Sequence, residues 1–165
     1  MTIPSYLQSP LHHSQVPKEL VLDFFAVFSR FEHALKSTGY WKKDTRGNVT
    51  PDWKRFSADA VAWFDVTPEG VDQAIMYLLR SPPYRQIVKL GTLDWEVQTV
   101  NVEDSPAVSV LEAVKIVRNN LFHGGKHMPH SAPGRDERLL KASLEVLYYC
   151  LSCSDLLRIE YEGGY

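Results

Sequence analysis

Residues 18–39 read KELVLDFFAVFSRFEHALKSTG, and this stretch decides the fold class. Leu20, Phe24, Val27, Phe28, Phe31 and Leu35 recur at spacings of three and four, which puts them on one face of an amphipathic helix. Gly39 is a natural stop for it. A second stretch, RDERLLKASLEVLYYCLSCSDLL over residues 135–157, is apolar around more than half of a helical circumference. It is expected to run as one central, well-buried helix from near Arg135 past Leu157.

The intervening chain continues the pattern. Lys42–Asn48, KKDTRGN, is polar and reads as a loop. Pro51 opens a second helix striped by Trp53, Phe56, Ala60, Val61 and Phe64. Thr67-Pro68-Glu69 reads as an N-cap, a first-turn proline and an early acid. The third helix that follows carries Val71, Ile75, Leu78 and Leu79 and stops at Ser81-Pro82-Pro83. Gln86–Val102 contains LDWEVQTVNV, which alternates as a strand does, but without a visible partner an extended connection serves equally. Asp104-Ser105-Pro106 starts a further helix through Val110, Val114, Val117 and Leu121, closed by Gly124-Gly125. The chain up to Pro17 is polar and proline-punctuated, an expected N-terminal arm. The expectation is a single domain over residues 1–165, an all-α bundle of about five helices, with no internal repeat.

Composition agrees. At 165 residues, 44% hydrophobic and 23% charged, with a formal net charge of −2, the chain can bury a core without metal or disulfide staples. No apolar run approaches the roughly 20 residues that span a bilayer, and the N-terminus lacks the pattern of a secretory signal. A soluble, cytoplasmic protein is expected. Cys150 and Cys153 form a C-x-x-C inside the long apolar helix, without a second pair to complete a zinc site, so buried thiols are expected there.

The chemistry concentrates in residues 117–126, VRNNLFHGGK. Arg118 offers a permanent planar cation suited to phosphate, and His123 a side chain that exchanges protons near neutrality. Asn119 stands four residues before His123, on the same helical face. At about 100° per residue, Arg118 and His123 lie roughly 140° apart on a straight helix. Either the helix end swings His123 round, or two copies of the segment meet across a two-fold axis. Residues 111–141 carry six basic side chains against three acids in a chain of net charge −2, a focused basic segment that suits an anionic partner.

Arg118–His123, RNNLFH, matches the R-x4-6-H motif and resembles the HEPN (higher eukaryotes and prokaryotes nucleotide-binding) domain family. The motif ends a penultimate long helix and precedes a loop and a final helix, as in that family. The first helix is similar too, including the acid Glu32 beside the apolar stripe. The resemblance covers residues 18–39 and 106–160 and is poor between them. It implies a helical homodimer with both motifs in one cleft, and a metal-independent endoribonuclease acting on RNA without a cofactor, often a toxin or defence effector. In that chemistry the 2′-hydroxyl attacks phosphorus and leaves a 2′,3′-cyclic phosphate and a 5′-hydroxyl. His123 would serve as general base or acid, Arg118 would stabilise phosphoryl charge, and Asn119 would orient one of them. Lys126 would touch phosphate and Glu32 would pair with Arg118. Gly125 stands where family toxins with a nucleotidyltransferase antitoxin carry a modified tyrosine, so control by a cognate antitoxin through that residue is not expected.

Other readings stand beside this one. Members without nuclease activity bind a nucleotide or a partner protein. Arg118 and His123 also suit a helix C-terminus, where a cation gains about 0.3–1 kcal/mol. His123, His127 and His130 are metal-ligand types, but glycines and a proline break their spacing and no carboxylate or cysteine completes a shell. Phe24, Phe25, Phe28, Phe31, Trp53, Trp63 and Phe64 read as core. Trp41 and Trp95 fall in less regular stretches and are the aromatics to test as substrate contacts.

Overall fold

The computed structural model describes residues 16–97, 105–122 and 132–163. The 18–39 pattern folds as α1, Lys18–Ser37, which buries Phe24, Val27, Phe28, Phe31 and Leu35 together with Val21 and Ala34. Thr38 closes the helix and Gly39 follows at φ +91°, where the lack of a Cβ removes the steric penalty. Phe25 departs from its expected place in the core. It sits one residue, about 100°, round from Phe24 and is 50% exposed. Of the expected arm, residues 1–15 lie outside the described residues, whereas Val16 is buried in the core.

Two short hairpins interrupt the helices. Strand β1 (Trp41–Lys43) pairs antiparallel with β2 (Val49–Pro51), so the polar 42–48 loop is in fact a hairpin built around Asp44. The Asp44 carboxylate accepts from the backbone of Arg46 and Asn48 and from the Asn48 amide, which lowers its pKa from the ordinary 3.8. Asp52 caps α2 (Trp53–Asp59) by accepting from Arg55 N, and a 3-10 turn over Val61–Phe64 completes the expected second helix. Helix α3 spans Glu69–Arg80 with Pro68 in the cap position, one residue later than the expected Thr67.

The second hairpin corrects the all-helical expectation. Strand β3 (Tyr84–Lys89) is the partner that LDWEV lacked, and pairs with β4 (Thr92–Val97) through Gln86↔Trp95 and Val88↔Leu93. Its two-residue turn, Leu90-Gly91, has both φ positive (52° and 79°), the twist that a tight hairpin requires.

Helix α4, Pro106–Phe122, follows, then α5, Arg135–Cys153. The expected single last helix breaks at Ser154, whose backbone turns extended (φ −139°, ψ 109°) and whose hydroxyl accepts from Leu157 N to start α6, Asp155–Glu162. An apolar run hides such a break because Leu151 before it and Leu157 after it are both buried. The architecture is therefore six α-helices and two small antiparallel hairpins among the described residues. The core joins α1, α2, α3, α4 and α5 with Leu157 of α6; Phe24, Phe31, Phe56, Val114 and Leu147 are fully enclosed. Each large side chain so enclosed is worth about 1.5–3 kcal/mol. Helix α5 touches α1, α3, α4 and α6 and is the central element expected. None of the described helices is long and apolar enough to cross a membrane.

Candidate functional site

The motif lies on the last turns of α4, where a broad buried face (Val110, Leu111, Val114, Val117) anchors the helix in the core. That face leaves Arg118, Asn119 and Asn120 at the surface, in three different roles. Arg118 is half-buried, with its guanidinium carbon 5.6 Å from the centre of the Phe28 ring. Phe28 stacks on Trp53 at 5.5 Å and 25°, and Trp53 stacks on Phe31 at 5.5 Å and 17°. The Trp53 indole Nε1 donates to Glu32 Oε1 at 2.9 Å. Glu32, expected to pair with Arg118, thus holds an indole instead. Glu32 and Arg118 are connected through Trp53 and Phe28, which stack on each other.

Arg118 Nη1 donates to Asn119 Oδ1 at 3.1 Å. No basic residue stands in the last turn of α4, so Arg118 is not placed as a terminal counter-charge to the helix dipole. Asn120 Nδ2 donates to the carbonyl of Tyr84 at 2.6 Å, tying the β3–β4 hairpin to the helix. His123, Lys126, His127 and His130 lie outside the described residues. Among the described residues, no group of three histidine, cysteine or carboxylate side chains is placed to hold a metal ion.

Between the hairpin and α4 lies a cleft of about 380 Å³, lined among the described residues by Arg85, Gln86, Trp95, Glu112, Ile116, Asn119 and Asn120. The helical members share one face by their spacing of four, three and one. Glu112 is the acid in this lining and is countered twice, by Arg85 at 3.1 Å and Lys115 at 2.6 Å. The Arg85 bridge is solvent-exposed and the Lys115 bridge part-buried; pairs this accessible contribute little stability, about 0–1 kcal/mol. Arg135 fixes the root of the hairpin by donating to the carbonyls of Ser81 and Pro82 and lying 4.8 Å from the Tyr84 ring centre.

Of the two aromatics singled out beforehand, Trp95 enters this cleft beside Asn119, whereas Trp41 is 46% exposed on the separate β1–β2 hairpin. Arg85, Gln86 and Asn120 were missed as site residues. YRQIVK does not alternate as LDWEV does, so no clear signal for them stood in the sequence. The C-x-x-C falls on α5 as expected, with both cysteines free and Cys150 buried; burial pushes its thiol well above the ordinary 9.0.

No protein-family model, curated protein or solved structure matches this chain.

Proposed function

We propose that the protein is a HEPN-type, metal-independent endoribonuclease whose site is built on the end of α4. One observation carries the reading: Asn119 joins two features, accepting a hydrogen bond from Arg118 while lining the cleft under the hairpin. By sequence spacing His123 stands four residues further on, so the same helical face leads toward a proton-transfer group. A guanidinium held on an aromatic ring and an amide is pre-organised for a phosphoryl oxygen, which is where negative charge grows during attack.

In this reading the RNA 2′-oxygen forms a bond to the adjacent phosphorus as His123 takes its proton. The bond from phosphorus to the 5′-oxygen breaks, and that oxygen receives a proton. The products are a 2′,3′-cyclic phosphate and a 5′-hydroxyl. Lys126 adds a phosphate contact. Pairing of two chains brings one subunit's Arg118 to the other's His123 and resolves their roughly 140° separation on one helix. The biological role is that of a toxin or defence effector.

The test is incubation of generic RNA with the protein in EDTA, with product ends analysed for cyclic phosphate. Arg118→Ala lowers cleavage by about 10²–10³-fold and His123→Ala by about 10²–10⁴-fold, with circular dichroism unchanged. Cleavage that survives His123→Ala removes the assigned proton transfer. A strictly monomeric active enzyme in sedimentation removes the shared site.

A further inference from the structure

The cleavage chemistry uses Arg118, Asn119 and His123 and leaves the rest of the neighbouring cleft without a task. On one wall, Gln86 and Trp95 are opposite each other in the β3–β4 register and therefore share a face of the hairpin. On the other wall are Ile116, Asn119 and Asn120 of α4. The cleft thus combines an aromatic ring, an aliphatic side chain and three carboxamides.

The hydrogen-bond balance is informative. Asn120 Nδ2 is occupied by Tyr84 O, and Arg85 is occupied by Glu112. Among the described residues, the Gln86 amide and the Trp95 indole N–H make no hydrogen bond to protein. A lone phosphate or carboxylate would seek an unoccupied cation, and the cation lining this cleft is already bridged to an acid. A flat ring with a polar edge satisfies both walls: its face meets the indole, and its edge meets amides that each offer a donor and an acceptor. The cleft volume of about 380 Å³ lies at the small end of ligand pockets, room for one base and its sugar.

We propose that this cleft is a nucleobase subsite, in which Trp95 stacks on the base and Gln86 and Asn119 read its edge. Its place next to a scissile phosphate rests on the ribonuclease reading above; its ability to bind a base does not. Because Asn119 also contacts Arg118, an occupied subsite sets the position of the RNA backbone relative to the guanidinium. Cleavage is thereby biased toward one base at the position that fills the cleft.

The full chain is titrated by calorimetry with the four nucleoside 5′-monophosphates, and with ribose 5-phosphate and inorganic phosphate as base-free probes. The indole N–H resonance of Trp95, identified by its loss in Trp95→Phe, is followed in parallel. Saturable binding of at least one nucleotide with movement of that resonance is expected, with neither base-free probe matching it. Trp95→Ala weakens the affinity by about 5- to 150-fold, the range for loss of one stacked base, and Trp95→Phe restores most of it. Gln86→Ala, at an exposed position where folding is not at stake, changes the ranking among the four nucleotides. Equal affinity for ribose 5-phosphate, or no nucleotide binding at all, overturns the subsite. Cleavage with unaltered base bias in Gln86→Ala and Trp95→Ala overturns it while sparing the ribonuclease reading. Base-dependent binding without any RNA cleavage spares the subsite and overturns the ribonuclease.

Discussion

The seat of Arg118 on Phe28 is open to a direct energetic test. Phe28 is 2% exposed and touches three partners: Phe24 at 5.8 Å, Trp53 at 5.5 Å and the Arg118 guanidinium at 5.6 Å. Phe28→Leu keeps an apolar side chain but loses the ring. The two aromatic pairs and the small void left behind together predict a loss of about 1–3 kcal/mol. Arg118→Met keeps the aliphatic stem and removes the cation. If the guanidinium is held by the ring, the two changes are not independent. A cation over a ring at a half-buried site is worth about 0.5–1 kcal/mol, rising toward 2 when desolvated, so the double mutant should be less destabilised than the sum by about 1 kcal/mol. Urea unfolding of the wild type, both single variants and the double variant measures this coupling directly. For a chain of this length each kcal/mol is also about 2–4 °C in Tm. Effects that add within about 0.3 kcal/mol, the scatter of independent sites, would refute the claim that Phe28 holds the arginine.

Leu90 takes φ 52° and is 99% exposed, so Leu90→Asn, which tolerates that backbone, should stabilise the β3–β4 hairpin by about 0.5–1 kcal/mol. Slower amide exchange across Tyr84–Val97 is the expected signal, and faster exchange counts against the turn geometry. Burial pushes the Cys150 thiol up, so the neutral form is the one the fold accommodates. Its contribution is fully present below the ordinary 9.0 and is lost progressively as pH rises from there through the higher folded value. Alkylation of the native protein should therefore modify Cys153 first and reach Cys150 only on unfolding; equal rates contradict this. The depressed pKa of Asp44 means that its carboxylate supports the β1–β2 hairpin above the ordinary 3.8 and that this support fades as pH falls through the lower folded value. Amide shifts of Arg46 and Asn48 should report that acid transition, and Asp44→Asn should abolish it.

The helical frame was legible because burial leaves a period: Phe24, Phe28, Phe31 and Leu35 had to share a face, and they do. The placement of Arg118 and Asn119 near a helix end was legible for the same reason. The second hairpin was not. Its partner strand follows Pro82-Pro83, its outward residues Val88 and Leu93 are exposed and give no burial signal, and its turn uses Leu-Gly where Asn-Gly would have announced it. The cleft was lost with the hairpin, since Arg85 and Gln86 acquire meaning only once β3 lies against α4. Glu32 shows a different limit. Its distance from Trp53 along the chain says nothing about which donor reaches it first, and the indole N–H that must be satisfied in the core takes the carboxylate. The break at Ser154 is invisible to hydropathy because only a backbone angle changes there.

Arg30 of α1 donates to the carbonyls of Tyr161 and Glu160 at the end of α6, across a sequence separation of 131 residues. During synthesis the phenylalanine face of α1 leaves the ribosome long before the helices that cover it. At about 5–20 residues per second, Tyr161 follows Arg30 by roughly 7–26 s. For that interval the nascent chain carries an uncovered aromatic surface, a natural client site for a chaperone, and stalling translation between α3 and α5 should leave it there.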